Sequence, residues 1–135
     1  MACTFHLRKK GGECRRFPSS DTMAVDTLCQ FDESGEIAAH ATGKDCVGIV
    51  LEAATASTEP LVQILTGESV IEAIGVGVTI AATLVGNHVD IATGNELSLT
   101  DTNKDAIVYG WDGITDDRVL LKVKRCAFDS GAAAE

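Results

Sequence analysis

Aromatic residues and long apolar runs are both scarce in this chain of 135 residues. Only 4% of the residues are Phe, Trp or Tyr, so few rings are available to stack on the bases of a single-stranded nucleic acid. A transmembrane helix needs about 18 or more consecutive apolar residues, and no such run occurs, so we expect no membrane span. The basic start does not lead directly into an apolar stretch, as a signal peptide would. We therefore expect the chain to be intracellular when it is made.

Cysteine is present without the spacing that a zinc site needs. The five cysteines occupy positions 3, 14, 29, 46 and 126 and form no C-x-x-C pair. Cys29, Cys46 and Cys126 lie in strand-like segments, and we expect them to be small core residues. A metal or disulfide pair formed by Cys3 with His6 or Cys14 is the weak alternative.

Motifs for catalysis or cofactor binding are incomplete throughout. The three histidines, His6, His40 and His88, accompany no nucleophile elbow, and we expect His40 and His88 on strand surfaces. Gly75-Val76-Gly77 begins like a dinucleotide loop, but Ile80 stands where the fingerprint needs glycine. The segment 101–105 imitates a calcium loop, but Ala106 replaces the sharp-turn glycine, so a simple turn is expected. We therefore expect no enzyme activity, no cofactor and no metal.

Composition favours an all-β domain. Thirteen glycines and abundant Thr, Val and Ile accompany almost no helix-period pattern, which is typical of a small β-barrel or β-sandwich. The best helix candidate is the short apolar run from Val78 to Val85. The length is right for one domain with a single core.

The two halves of the chain match at a shift of 60 residues. Glu36-Ile37, Thr42-x-Lys44-Asp45 and Val47 fall on Glu96-Leu97, Thr102-x-Lys104-Asp105 and Ile107. Each copy reads as a hairpin, a polar corner and a longer strand, and another alternating strand closes it at 61–65 or 119–124. We therefore predict two related β-units, at about 24–74 and 86–126, within a domain of residues 24–126. Chance similarity between turn residues is the alternative.

The charge is divided unevenly along the chain. Residues 1–16 carry five basic side chains and one acid, whereas the remainder carries six basic and nineteen acidic groups. We predict an extended basic N-terminal arm over residues 1–23, which becomes ordered on a partner, and a flexible C-terminal tail over 127–135. An acidic patch on a neighbouring subunit is the favoured partner, with a solvated tail and a nucleic-acid contact as alternatives. The candidate partner-binding residues are Phe5, Arg8, Lys9, Lys10, Arg15, Arg16 and Phe17.

Four segments together suggest a family. They are Asp26-Thr27-Leu28-Cys29-Gln30-Phe31, Ser34-Gly35-Glu36-Ile37, the run 47–54 (VGIVLEAA) and the run 61–67 (LVQILTG). In this order they resemble the small capsid decoration, or cement, proteins of tailed bacteriophages. The resemblance covers residues 24–74 and, more loosely, residues 86–125.

The resemblance implies a compact β-barrel that binds the outer surface of the mature head, after synthesis in the host cytoplasm. Its partner would be the major capsid protein, whose neighbouring subunits it would clamp together, as a homo-oligomer with a trimer favoured. Such a role requires no active site. Two other functions stay open: a small nucleic-acid-binding β-barrel that uses the basic arm, and a small β-barrel hydrolase or lyase, for which the sequence offers no catalytic residues.

Overall fold

The computed structural model describes residues 4–74, 82–99, 102–110 and 118–128, whose strands form two antiparallel β-sheets. The strands are β1 (Thr4–Lys9), β2 (Cys14–Arg16), β3 (Leu28–Phe31), β4 (Ile37–Ala39), β5 (Gly48–Val50), β6 (Leu61–Ile64), β7 (Val70–Ile74), β8 (His88–Ala92), β9 (Glu96–Ser98), β10 (Ala106–Gly110) and β11 (Arg118–Val123). The prediction of an all-β, sandwich-like fold is confirmed. Of the predicted helix candidate, Ala82–Leu84 forms one 3-10 turn, and residues 78–81 lie outside the described ranges. No helix in those ranges is long and apolar enough to cross a membrane.

The two sheets share one strand order. In the first sheet the order is β2-β6-β5-β3-β4, and in the second it is β1-β7-β11-β10-β8-β9. Moving β6, β5, β3 and β4 along the chain by about 60 residues yields β11, β10, β8 and β9, in the same spatial order. Each sheet is thus built chiefly from one copy of the internal repeat.

One strand crosses the predicted boundary between the repeat units. Val70–Ile74 was expected in the first unit, but as β7 it pairs with β11 and joins the second sheet. There it takes the place next to β11 that β2 takes next to β6 in the first sheet. The strand β1 has no counterpart in this scheme, because it is an additional strand outside β7.

The N-terminal segment is part of the sandwich. In β1, Thr4 to Leu7 pair with Ile74 to Ile71, and in β2, Cys14 to Arg16 pair with Gln63 to Leu61. The prediction that residues 1–23 form a separate arm is therefore wrong for residues 4–23. The apolar side chain of Phe5 enters the core, and each of the two strands pairs along its inner edge with a neighbouring strand, which offsets the entropy lost on ordering.

The first sheet buries both of its faces. One face packs against the second sheet around Phe5, Leu28, Ile49, Ile71 and Leu121. The opposite face forms a second cluster with Met23, Cys29, Ile37, Val47, Val50, Ala54 and Val62. Neighbours such as Leu28 and Cys29 enter different clusters because successive side chains of a strand point to opposite faces. Residues around Met23 and Ala54, joined by reciprocal backbone hydrogen bonds, cover this second cluster.

Candidate partner-binding surface

Arg8, one of the basic residues predicted to bind a partner, is instead held within the chain by a buried carboxylate. Arg8 donates a hydrogen bond to the carboxylate of Glu72, whose side chain is only 8% exposed. Arg118 approaches the other oxygen of the same carboxylate, with Nε 3.7 Å from Oε2. Lys9 Nζ lies 3.9 Å from Glu68 Oε2 at the surface. Because β1 lies beside β7, Arg8 and Arg118 stabilise the sandwich through Glu72. The Lys9 pair is largely exposed, so water screens it.

Arg16 is also held by the body of the protein. Its Nη1 and Nη2 donate to the two carboxylate oxygens of Glu52 at 2.7 and 3.3 Å, and Nη1 also donates to the Glu59 carbonyl at 3.0 Å. The hydrogen bond between the two side chains raises the pKa of Arg16 and lowers the pKa of Glu52. Such two-point contacts fix the guanidinium in one orientation.

Lys9, Lys10 and Arg15 are the basic residues of this segment that are left for a partner. Arg15 Nε lies 3.7 Å from Glu13 Oε1, but both side chains are largely exposed, so water screens this pair. Lys10 is exposed and makes no ion pair with any residue in the described ranges. The predicted set of basic residues is therefore reduced to these three.

The two predicted phenylalanines have different positions. Phe5 is fully buried between the sheets and is excluded from any partner contact. Phe17 lies on the opposite face of the first sheet, where its ring contacts Phe31 and Phe128 with centroid separations of 5.5 and 6.1 Å. Phe31 and Phe128 are themselves 5.5 Å apart and nearly perpendicular. We call Phe17, Phe31 and Phe128 the aromatic face.

Alternation along the strands and one backbone contact assemble the aromatic face. Phe31 follows Cys29 by two residues on β3, and Phe17 follows Arg15 by two, so each pair points to one side of the sheet. The backbone N–H of Ala127 donates to the Cys46 carbonyl at 2.8 Å and carries Phe128 onto the two rings. The predicted flexible tail, residues 127–135, therefore begins with two packed residues, and 129–135 lie outside the described ranges.

The aromatic face has the composition of a binding surface. Phe128 is 47% exposed although it contacts two other rings, and Arg15 is on the same side of the sheet. Aromatic and arginine side chains are enriched at the energetic centres of protein interfaces. Sequence reasoning found Phe17 and Arg15 but missed Phe31 and Phe128. The one available signal for Phe128 was a single large apolar residue in a tail with four alanines.

A partly buried polar cluster joins the two repeat copies at another place. Arg125 donates through Nε to Asp45 Oδ1 at 3.0 Å, and its Nη1 lies 3.8 Å from Asp105 Oδ1. Asp45 and Asp105 are the equivalent corner aspartates of the two copies. Asp90 Oδ1 accepts hydrogen bonds from the backbone N–H groups of Asn103 and Lys104, both at 2.9 Å, so the second corner is a turn as predicted.

His40 belongs to this cluster and corrects a prediction. It was expected on a strand surface, but it is 3% exposed, and its Nε2 lies 2.8 Å from the Lys44 carbonyl oxygen. Burial lowers the pKa of His40 and raises the pKa of Asp105. Within the described ranges, no three His, Cys, Asp or Glu side chains are grouped so that they could hold a metal ion. The geometry of this cluster fits a structural link between the sheets.

The described cysteines follow their sequence pattern. Cys29, Cys46 and Cys126 are buried, which confirms them as core residues, and Cys14 is exposed. Burial raises the pKa of Cys29 to about 12 and that of Cys46 well above its ordinary value. These core thiols therefore stay protonated at neutral pH. Cys3 lies outside the described ranges, so its proposed pairing with His6 or Cys14 stays untested.

No protein-family model matches this chain, and no curated protein is significantly similar to it.

Proposed function

We propose that this protein is a structural binding module, and that it serves as a capsid decoration protein on the outer surface of a tailed-bacteriophage head. The aromatic face is the observation that carries the proposal. Three rings in mutual contact, one of them 47% exposed, provide an anchor for a protein surface without any need for catalytic chemistry. The partner under this proposal is the major capsid protein.

The architecture supports the proposal in a second way. A decoration protein must transmit load between neighbouring subunits, so a well-packed body serves it better than a mobile one. Here the first sheet is packed on both faces. Of the two N-terminal strands, β1 pairs within the second sheet and β2 within the first. A homo-oligomer, with a trimer favoured, belongs to the same proposal, because cement proteins act at symmetry axes.

The nucleic-acid alternative receives less support. Binding to a nucleic acid depends on basic side chains that are free to neutralise phosphates. Arg8 and Arg16 instead donate hydrogen bonds to carboxylates of the same chain. The residues after position 16 carry nineteen acidic and only six basic groups, and this excess repels a phosphate backbone.

The direct experiment is co-sedimentation with undecorated, expanded heads of the phage that encodes the chain, with free double-stranded DNA as the parallel partner. We expect saturable binding to heads at a fixed ratio to the major subunit and no binding to DNA. Binding to DNA alone, falling steeply with salt, would refute the proposal. Light scattering of the free protein checks the trimer separately.

A matched pair of variants locates the surface. Phe128→Ser removes the most exposed ring of the aromatic face, and we expect it to weaken head binding at least tenfold, as for an interface hot spot. Tyr109→Ser is the control, because Tyr109 is 53% exposed but lies on the second sheet. If both variants bind heads equally well and unfold at the same temperature as the unmodified protein, the aromatic face is not the head-binding surface.

A further inference from the structure

The outer edge of β2 pairs with no other strand among the residues that the structure describes. The strand is the last in the order of the first sheet, with β6 on its inner side. Its three residues, Cys14, Arg15 and Arg16, are all exposed. Exposed sheet edges carry unpaired backbone groups that can pair with another strand.

The hydrogen-bond pattern identifies the available backbone groups. The backbone carbonyl of Glu13 accepts a hydrogen bond from the Ile64 N–H at 3.0 Å. The Phe17 N–H donates to the Pro60 carbonyl at 3.4 Å. In an antiparallel pair, alternate residues face the partner strand, so Arg15 also faces β6. Cys14 and Arg16 therefore direct their backbone N–H and C=O groups outward. No residue in the described ranges accepts a hydrogen bond from either N–H.

The second sheet shows what the equivalent edge accepts. The strand β7 holds the position that β2 holds in the first sheet, and its outer edge is covered by β1. The side chain of Glu72 on β7 is met there by Arg8 from the added strand. An added strand with a complementary charge thus already occurs once in this fold.

The charge at the open edge is the reverse of that at β7. Arg15 pairs across to Val62 and lies on the outward face of its sheet, as Glu72 does when it pairs across to Leu120. An added strand at β2 would therefore gain from a carboxylate next to Arg15. A second copy of this chain fits poorly, because antiparallel pairing of two β2 edges about their centres would place Arg15 against Arg15.

We propose that the outer edge of β2 binds an extended, acidic segment of a partner protein as an added β-strand. The backbone groups of Cys14 and Arg16 provide the main-chain hydrogen bonds, and Arg15 selects for a carboxylate. The inference does not depend on a capsid being the partner, since it concerns how a segment is bound.

The test uses a blocked peptide in which Val and Glu alternate, and a matched peptide with Lys in place of Glu. Both are titrated into the full chain at low salt and followed by amide proton exchange. We expect the acidic peptide to protect the amides of Cys14 and Arg16. The Arg15 amide, already directed towards β6, should change little and serves as the internal control. Unchanged exchange at both Cys14 and Arg16 would overturn the proposal.

Charge reversal separates specific pairing from general attraction. Arg15→Glu should weaken binding of the acidic peptide by at least about fivefold, because opposite charges across a strand pair become like charges. The same variant should bind the lysine peptide better than the unmodified protein does. Lys124→Glu, which makes the same charge change at an exposed site after β11, is the control. Equal weakening by both variants would refute edge pairing, whether or not the protein binds phage heads.

Discussion

Thr42 and Thr93 cap each other across the two sheets. The backbone N–H of Thr42 donates to Thr93 Oγ1 at 3.0 Å, and the N–H of Thr93 donates to Thr42 Oγ1 at the same distance. Thr42 follows β4 of the first sheet and Thr93 follows β8 of the second, so the exchange joins one loop of each sheet. The two threonines are 51 residues apart in the sequence.

Removing one hydroxyl tests this link. Thr42→Val should lower the free energy of unfolding by about 1 kcal/mol, because the Thr93 N–H loses its acceptor at an exposed site. Thr42→Ser keeps the hydroxyl and should stay near the stability of the unmodified protein. Urea unfolding of the three proteins provides the comparison. A valine variant as stable as the unmodified protein would show that the hydroxyl hydrogen bond contributes nothing to stability.

We predict that Arg8 stabilises the folded protein. Arg8→Ala should lower the free energy of unfolding by about 1 to 2 kcal/mol, since it removes a charged hydrogen bond to the buried carboxylate of Glu72. Arg15→Ala is the matched control and should change it by less than about 0.5 kcal/mol, because its ion pair is solvent-exposed. A double-mutant cycle with Glu72→Gln measures the coupling. Additive effects would show that the pair contributes nothing.

Gly48 has no room for a side chain. A Cβ at this position would overlap the backbone oxygen of Gln63 and approach Val62 Cγ1 to 2.8 Å. Gly48→Ala should therefore lower the free energy of unfolding by about 2 to 3 kcal/mol through forced separation of β5 and β6. Gly94→Asn is the control, since Gly94 has open space and a φ of 83° that Asn tolerates. Thermal unfolding that ranks the two variants equally would contradict this packing.

His40 should make stability depend on pH. Burial lowers its pKa in the folded protein below the ordinary 6.5, so the unfolded chain binds a proton more readily than the folded one. The free energy of unfolding should therefore fall as the pH drops through 6.5 towards the lower folded pKa.

His40→Gln should remove that fall in the free energy of unfolding. At lower pH, Asp105 acts in the opposite direction, because its raised pKa lets the folded protein take up its proton first. Urea unfolding across the pH series provides the readout. If the free energy of unfolding of His40→Gln still falls as the pH drops below 6.5, as in the unmodified protein, His40 is not the cause of the fall.

The cysteines should react with a thiol reagent according to their burial. In a Cys3→Ser background, Cys14 should be labelled rapidly in the native protein, whereas Cys29, Cys46 and Cys126 should react only after unfolding. Mass spectrometry of peptides from native and denatured samples gives the count at each site. Labelling of Cys46 at the rate of Cys14 would contradict the described packing of the core.

Local geometry made much of the fold predictable. Strand alternation and turn chemistry act between near neighbours, so the Asp32–Gly35 turn, with Gly35 at a φ of 78°, and the turn with Gly94 and Asn95 are both found as expected. The repeat in the sequence also predicted that the halves would share one plan. The distribution of charge, by contrast, suggested a free arm. The carboxylates that contact Arg8 and Arg16 lie far away in the sequence, so local patterns could not predict these contacts.

The sequence by itself determined the β class, the repeated units and the cysteines of the core, because each depends on residue type and short-range spacing. Only the tertiary structure decided that Phe5 enters the core, that β7 joins the second sheet, and that Phe17, Phe31 and Phe128 meet. A strand pairs where it finds an unpaired sheet edge and an apolar face to pack against. Residues distant in sequence form both of these. His40 is buried for the same reason, since the corner that covers it belongs partly to the other copy.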